Sequence, residues 1–109
     1  MTRAAELDAV RREGKRIRTT HLEVRYIASL SLRPRIGIIV PRHKQSAVAR
    51  NTVKRRLREL SRATLLPALA AIPPIDVVLR AAPEAYGADH ATLAADVQRV
   101  LERLRGGRA

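Results

Sequence analysis

The sequence predicts an α+β fold, a two-layer sandwich in which helices cover a small mixed sheet. Short apolar segments typical of strands lie between segments with helical periodicity. The predicted order is α-β-β-(β)-α-β-α, with one of the first three strands optional. A helix lies between two apolar strands, so it is predicted to form the crossover of a βαβ unit. The 109 residues contain no repeat or linker, which predicts one domain over 1–109.

The N-terminal segment is predicted to contain a helix and a short strand. Residues 4–13 have helical spacing, with Leu7 and Val10 facing inward and Gly14 suited to the end of the helix. The basic segment from Lys15 to Arg18 is interpreted as an edge strand.

Two longer strands are predicted before the central helix. Residues 21–28 alternate between apolar and polar types, which is typical of a half-buried strand. One face would carry Leu22, Val24 and Tyr26, and the other Glu23 and Arg25. Residues 35–40 form a nearly continuous β-branched run that favours a central strand, and Pro41 ends it.

The central helix is predicted over residues 46–64, with Ser46 as its N-cap and Pro67 as the residue that ends or kinks it. At about 100° per residue, its side chains separate into two stripes. The apolar stripe contains Ala49, Val53, Leu57, Leu60 and Thr64. The polar stripe contains Arg50, Asn51, Lys54, Arg55, Arg58 and Arg62. One stripe suits a core, and the other presents dense positive charge.

The C-terminal third is predicted to form a strand over residues 75–81, a connecting loop and a last helix capped by Asp89 or Thr92. The apolar stripe of this helix contains Leu93, Val97, Val100, Leu101 and Leu104. Gly106 and Gly107 are expected to end the helix, and the last few residues are expected to fray.

The charge distribution points to a polyanionic partner. The net charge is +12, and residues 1–62 contain 17 Lys and Arg against 5 Asp and Glu, whereas residues 63–109 contain 5 of each. A solvated helix normally mixes both signs, but Arg50, Lys54 and Arg58 follow one another at i+4 and repel. The sequence therefore favours a central helix that faces nucleic acid through its phosphates.

Composition excludes several other classes of function. Aromatic residues make up 2% of the chain, which argues against base recognition mainly by stacking. There is no cysteine, no evident signal peptide and no apolar run long enough to span a membrane, so we expect a soluble cytoplasmic protein. No carboxylate cluster, metal-ligand spacing or phosphate-binding glycine loop is present, so the protein alone is predicted to be non-catalytic and to bind no metal.

Residues 34–62 carry a specific signature. A strand and a basic loop lead into a helix with the pattern AV-x-RN-x-x-KR-x-x-RE. The residues of this pattern are Ala47, Val48, Arg50, Asn51, Lys54, Arg55, Arg58 and Glu59. In their order and spacing they resemble the bacterial ribonuclease P protein subunit, and the surrounding pattern extends the resemblance from about Leu7 to Leu104.

The resemblance implies a left-handed crossover through the central helix and a role beside a catalytic RNA. In that family the RNA and its bound Mg²⁺ ions hydrolyse the phosphodiester that joins the 5′ leader to precursor tRNA. The expected partners are therefore the catalytic RNA subunit and precursor tRNA, with no membrane, no organic cofactor and no required protein partner. The protein would be an accessory subunit of the ribonucleoprotein enzyme.

The resemblance also implies two binding regions. The RNA-binding residues would be Arg50, Asn51, Lys54, Arg55, Arg58 and Arg62, extended by Arg42 and Lys44 in the loop before the helix. A cleft between the first helix and the sheet would contact the leader through Leu7, Leu22 and Tyr26. Leu7 and Leu22 stand where the family often has aromatic residues, Thr52 where it often has a basic one, and Gln45 where it commonly has glycine.

Two other interpretations fit parts of the sequence. A general RNA-binding structural protein, such as a ribosome-associated factor, would also carry a basic helix. A small protein-only nuclease would need a carboxylate cluster, which the sequence does not show.

Overall fold

The computed structural model describes residues 10, 12, 14–29 and 34–106. The four strands are β1 (Lys15–Arg18), β2 (Leu22–Ala28), β3 (Arg35–Ile39) and β4 (Ile75–Ala81). The helices are α1 (Ala47–Leu60), α2 (Leu66–Leu69) and α3 (His90–Gly106), with a π-helical segment at Ser61–Leu65 and a 3₁₀ helix at Pro83–Gly87. The predicted helix over residues 4–13, including Leu7, lies largely outside the described residues, as does the tail 107–109.

The strands form one mixed sheet in the order β1-β2-β4-β3. β1 and β2 pair antiparallel, as do β2 and β4, whereas β3 and β4 are parallel. The edge position of β1 and the βαβ crossover through α1 are therefore confirmed. The left hand of that crossover stays an expectation from the family resemblance.

One strand prediction is wrong in its position. Residues 35–40 were expected to form a central strand, but β3 lies at the edge of the sheet. The strand that follows the helices, β4, lies between β2 and β3. Its buried residues are Ile75, Val77, Val78, Leu79 and Ala81. β3 is only half-buried apart from Gly37, because its second edge has no strand partner among the described residues.

The core fills the space between one face of the sheet and the helices. The sheet contributes Ile17, Leu22, Val24, Val77 and Leu79, and the helices contribute Val53, Leu57, Leu60, Leu93, Val97 and Leu101. The apolar stripe of the last helix is buried throughout, as predicted, and that of α1 is buried from Val53 to Leu60. The fully buried side chains of this core are all aliphatic, and Tyr26 and Tyr86 pack against its margin.

The helical run does not stop at Pro67. Instead α1 widens into the π-helical segment, where the backbone N–H of Leu66 donates to the carbonyl of Ser61, and α2 then carries Pro67 in its first turn. Proline lacks an N–H, and its ring crowds the carbonyl four residues earlier in an α-helix. A wider turn just before Pro67 gives the ring room, so the chain stays helical to Leu69.

Asp89 is the cap of the last helix. Its Oδ1 atom accepts from the backbone N–H of Thr92 at 2.8 Å. Hydrogen bonds from the Thr92 side chain and backbone lower the pKa of Asp89 below its ordinary value. The segment before it, predicted as a plain loop, contains the 3₁₀ helix. Along residues 10, 12, 14–29 and 34–106, no helix is long and apolar enough to cross a membrane.

Candidate nucleic-acid interface

The outer side of α1 and of the π-helical segment that continues it carries the predicted row of polar side chains, called the α1 row. Asn51, Lys54, Arg55, Arg58 and Arg62 are all exposed. Within the part of the chain that the structure describes, no carboxylate lies within ion-pair distance of any of these cations. Their like charges therefore repel without internal compensation, and an external polyanion would relieve that repulsion.

Arg50 differs from the rest of this row. It is half-buried, and its Nε atom donates to the carbonyl of Val40 at 3.3 Å. The same side chain thus links α1 to the end of β3, which orients the first turn of the helix against the sheet.

Arg56, unlike the exposed cations beside it on α1, contacts another segment of the protein itself. Its Nη1 atom donates to the carbonyl of Ala88 at 2.9 Å, which holds α1 to the segment before α3. Arg56 is not a member of the polar stripe, and its side chain is half-buried against this segment.

The N-terminus of α1 adds positive potential to the row. The predicted cap is confirmed, because the hydroxyl oxygen of Ser46 accepts from the backbone N–H of Ala49 at 3.1 Å. The first turn contains no acidic residue, so the helix dipole is not neutralised there. The N-terminus of α1 therefore adds its partial positive charge to that of the cations along the helix.

The loop before α1 has a defined left-handed conformation. His43 and Lys44 have φ values of 46° and 63°, and the N–H of Gln45 donates to the carbonyl of Arg42 at 2.7 Å. The departure from the family at Gln45 therefore leaves Gln45 itself unstrained, since the positive φ values fall on its two predecessors. Arg42 and Lys44 are both exposed and extend the basic surface beyond α1.

Tyr86 anchors this loop, a role that sequence reasoning missed. Its hydroxyl donates to the carbonyl of Pro41, and its ring meets the ring of His43 edge-on with centroids 6.1 Å apart. The Nε2 atom of His43 also lies 3.3 Å from the carbonyl of Ala81. The available signal was that Tyr86 is one of only two aromatic residues in the chain.

Of the predicted leader-cleft residues, the structure describes Leu22 and Tyr26. Leu22 is fully buried on the core side of β2, and Tyr26 is half-buried against the same core. Alternation along β2 turns both side chains toward the helices, and their assignment to a leader cleft stays a prediction. Leu7 lies outside the described residues.

A groove of about 910 Å³ lies where α1 and the π-helical segment border β3. Its described lining includes three cations of the α1 row and apolar residues from β3 and the N-terminal segment. These are Lys54, Arg58, Arg62, Ile36, Ile38 and Val10. Asn51 and Arg55 lie outside the groove, so the row divides into a groove side and an outer side.

Known proteins resemble this chain in sequence. The model of the family Ribonuclease P matches residues 1–105. A ribonuclease P protein component from Streptomyces griseus is 49% identical over 77 residues, which are 70% of this chain and 59% of that protein. Another from Mycobacterium avium is 35% identical over 113 residues, with 98% of this chain and 92% of that protein covered. The chain spans about three fifths of the length of the Streptomyces relatives it matches.

Solved structures show the same fold. The RNase P protein of Staphylococcus aureus aligns with a TM-score of 0.80 at 20% identity, over 94% of this chain and 91% of that one. The RNase P protein from Thermotoga maritima aligns with a TM-score of 0.78 at 23% identity, over 94% of each chain. With its fold shared, its α1 motif exposed and its sequence matched over residues 1–105, this chain belongs to the ribonuclease P protein family.

Proposed function

We propose that the chain is the protein subunit of ribonuclease P and assists removal of the 5′ leader from precursor tRNA. The observation that carries the proposal is the exposed, internally uncompensated row of cations on α1, which occupies the helix positions of the family motif. The partners are the catalytic RNA subunit and precursor tRNA. The cytoplasm is the expected location.

The α1 row binds the catalytic RNA mainly through phosphates. Arg55 and Arg58 present planar guanidinium groups suited to bidentate phosphate contacts, and Lys54 adds a point charge. The exposed amide of Asn51 offers both a donor and an acceptor to the same RNA. Arg42 and Lys44 extend these contacts from a loop whose conformation is set before RNA arrives.

The catalytic chemistry is assigned to the RNA subunit, as the family resemblance implies. The Mg²⁺ ions that support hydrolysis belong mainly to that RNA in this proposal. Within the described residues, no three His, Asp or Glu side chains come together in a way that could hold a metal ion. The protein contributes binding and orientation, and by itself it is expected to be inactive.

Reconstitution tests the proposal. Purified protein is added to the catalytic RNA at low magnesium, and the rate of precursor tRNA cleavage is measured. Wild-type protein should raise the rate, and the triple variant Lys54→Ala, Arg55→Ala and Arg58→Ala should not. The matched control is Arg103→Ala with Arg105→Ala, since these exposed arginines lie in the last turn of α3. The control should stimulate cleavage as the wild type does.

Sequencing of RNA that co-purifies with the protein separates the alternatives. Enrichment of the ribonuclease P RNA supports the proposal. Enrichment of ribosomal RNA without it, together with no stimulation by the wild type, would indicate a general RNA-binding protein. Cleavage by the protein without RNA would indicate a protein-only nuclease.

A further inference from the structure

The loop before α1 is fixed to the rest of the protein along its whole length. At its start, the carbonyl of Pro41 accepts a hydrogen bond from the hydroxyl of Tyr86, which lies in the 3₁₀ helix. In its middle, the Nε2 atom of His43 lies 3.3 Å from the carbonyl of Ala81, the last residue of β4. At its end, Ser46 caps α1. The loop is therefore joined to the sheet, the 3₁₀ helix and α1.

His43 is the residue of this loop that faces the protein. Its side chain is half-buried, whereas its neighbours Arg42 and Lys44 are both exposed. Its ring meets the ring of Tyr86 edge-on with centroids 6.1 Å apart. Its Nε2 atom donates to the carbonyl of Ala81, because a carbonyl oxygen can only accept. The loop thus places one residue against the protein and the two cations in solvent.

The backbone at His43 and Lys44 has a conformation that costs free energy. Their φ values of 46° and 63° lie in the left-handed region, where the Cβ atom crowds the following carbonyl oxygen. Neither residue is a glycine, which would avoid that crowding. Strained positions of this kind persist where the surrounding structure holds them, and they cluster at functional sites. The contacts of His43 with Tyr86 and Ala81 hold the loop in this conformation.

The two exposed cations of the loop have no ion-pair partner within the described part of the protein. Arg42 and Lys44 make no printed contact with a carboxylate there, and the N–H of Gln45 bonds only the backbone carbonyl of Arg42. A cation on a mobile loop loses backbone freedom when it binds a phosphate, whereas a cation on a fixed loop has already lost that freedom on folding. Fixing this loop therefore favours binding of an external polyanion.

We propose that His43 is a positioning residue for RNA binding. It fixes the loop against Tyr86 and Ala81, and it thereby presents Arg42 and Lys44 to phosphates of the catalytic RNA without touching that RNA itself. The inference rests on the proposed function, from which it takes the partner. It adds a residue that acts through its neighbours and lies outside the family motif on α1.

A double-mutant cycle on the affinity for the catalytic RNA tests this role. His43→Asn removes the imidazole ring and keeps a residue type that tolerates left-handed backbone. It should weaken binding about fivefold, the scale expected when side chains must be ordered on binding. In a protein that already carries Arg42→Ala and Lys44→Ala, the same change should leave the affinity unchanged, because the cations that His43 positions are gone. Equal losses in both backgrounds, or no loss in either, would overturn the inference.

The salt dependence of binding separates positioning from a general loss of stability. Each phosphate contact contributes about 0.7–0.9 to the slope of log affinity against log salt, so His43→Asn should reduce the magnitude of that slope by up to about 1–2. A loss of folded protein alone would remove no phosphate contact and would leave the slope unchanged. His90→Asn is the matched control, since His90 is exposed at the start of α3. It should change neither affinity nor slope, and an unchanged slope in His43→Asn would contradict the positioning role.

Tyr86→Phe is a second variant that leaves the sequence of the loop intact. It removes the hydrogen bond to Pro41 and keeps the ring against His43. It should weaken RNA binding in the wild-type background and have no effect in the protein that lacks the two cations of the loop. Any other pattern would overturn the inference. The proposed function would stand in that case, provided that wild-type protein still stimulated cleavage.

Discussion

His21 and Asp96 are 75 residues apart in sequence and meet between the turn before β2 and helix α3. The Oδ2 atom of Asp96 accepts a hydrogen bond from the backbone N–H of His21 at 2.8 Å. The same oxygen lies 2.8 Å from the Nδ1 atom of the His21 ring. The hydroxyl of Thr19 donates to the same oxygen at 2.9 Å, and Arg99 reaches the other oxygen at 2.6 Å. Asp96 is fully buried, so one carboxylate holds the β1–β2 turn against the last helix.

This carboxylate should make stability depend on acid pH. Burial raises the pKa of Asp96, but hydrogen bonds from His21 and Thr19 outweigh it and hold the pKa below the ordinary value of 3.8. A carboxyl group with a lowered folded pKa stabilises the protein above its unfolded pKa. That contribution is lost as the pH falls below about 3.8 and through the lower folded value.

The variant Asp96→Asn measures this contribution. Urea unfolding at pH 7 should show a free energy of unfolding about 1–3 kcal/mol below that of the wild type, because buried donors lose a charged acceptor. The difference should shrink when the measurement is repeated near pH 3. Glu102→Gln, on the exposed side of α3, should behave as the wild type at both values. An equal deficit at both pH values would show that the charge of Asp96 contributes nothing.

Two glycines should respond oppositely to alanine. A Cβ atom at Gly14 would lie 2.4 Å from the carbonyl oxygen of Val10 and 2.9 Å from that of Tyr26. Both obstacles are backbone, so Gly14→Ala should lower the melting temperature. A Cβ atom at Gly87 meets nothing within 4 Å. Gly87→Ala should therefore leave the melting temperature unchanged or raise it, with a gain of up to about 1 kcal/mol in the free energy of unfolding. Thermal unfolding of both variants beside the wild type measures these changes in melting temperature.

The loop before α1 should loosen when Tyr86 loses its hydroxyl. Tyr86→Phe removes the donor to the carbonyl of Pro41 and keeps the ring against His43. We expect a loss of about 1 kcal/mol in the free energy of unfolding. Amide hydrogen exchange should also accelerate at Gln45, whose N–H closes the loop. Tyr26→Phe is the control, since Tyr26 lies on β2 away from the loop before α1. Unchanged hydrogen exchange at Gln45 in Tyr86→Phe would contradict the anchoring role of Tyr86.

Binding to the catalytic RNA should depend strongly on salt through the α1 row. Each phosphate contact contributes about 0.7–0.9 to the slope of log affinity against log salt. The triple variant Lys54→Ala, Arg55→Ala and Arg58→Ala should therefore reduce the magnitude of that slope by about 2–3. Filter binding or fluorescence anisotropy over a range of salt concentrations gives the slope. A parallel shift of the line with no change in slope would mean that these side chains do not contact phosphates.

Local pattern was sufficient for most elements of this fold. The strand over residues 75–81, the caps Ser46 and Asp89 and the buried stripe of α3 follow the prediction, because each depends on neighbouring residues. Prediction failed where pairing between distant segments decides the position of a strand in the sheet. β3 has the composition of a central strand but lies at the edge, since β4 arrives later in the chain and pairs on both sides. The register of β2 turns Leu22 into the core, and its part in a leader cleft stays a prediction.

By itself, the sequence determined the charged face of α1 and the family motif on it, because helical periodicity and side-chain charge are local properties. Only the tertiary structure decided which of those charges border the groove between α1 and β3. It also decided the pairing of His21 with Asp96. These relationships depend on how α1, α3 and the sheet pack, and packing joins residues whose separation in sequence carries no periodic signal.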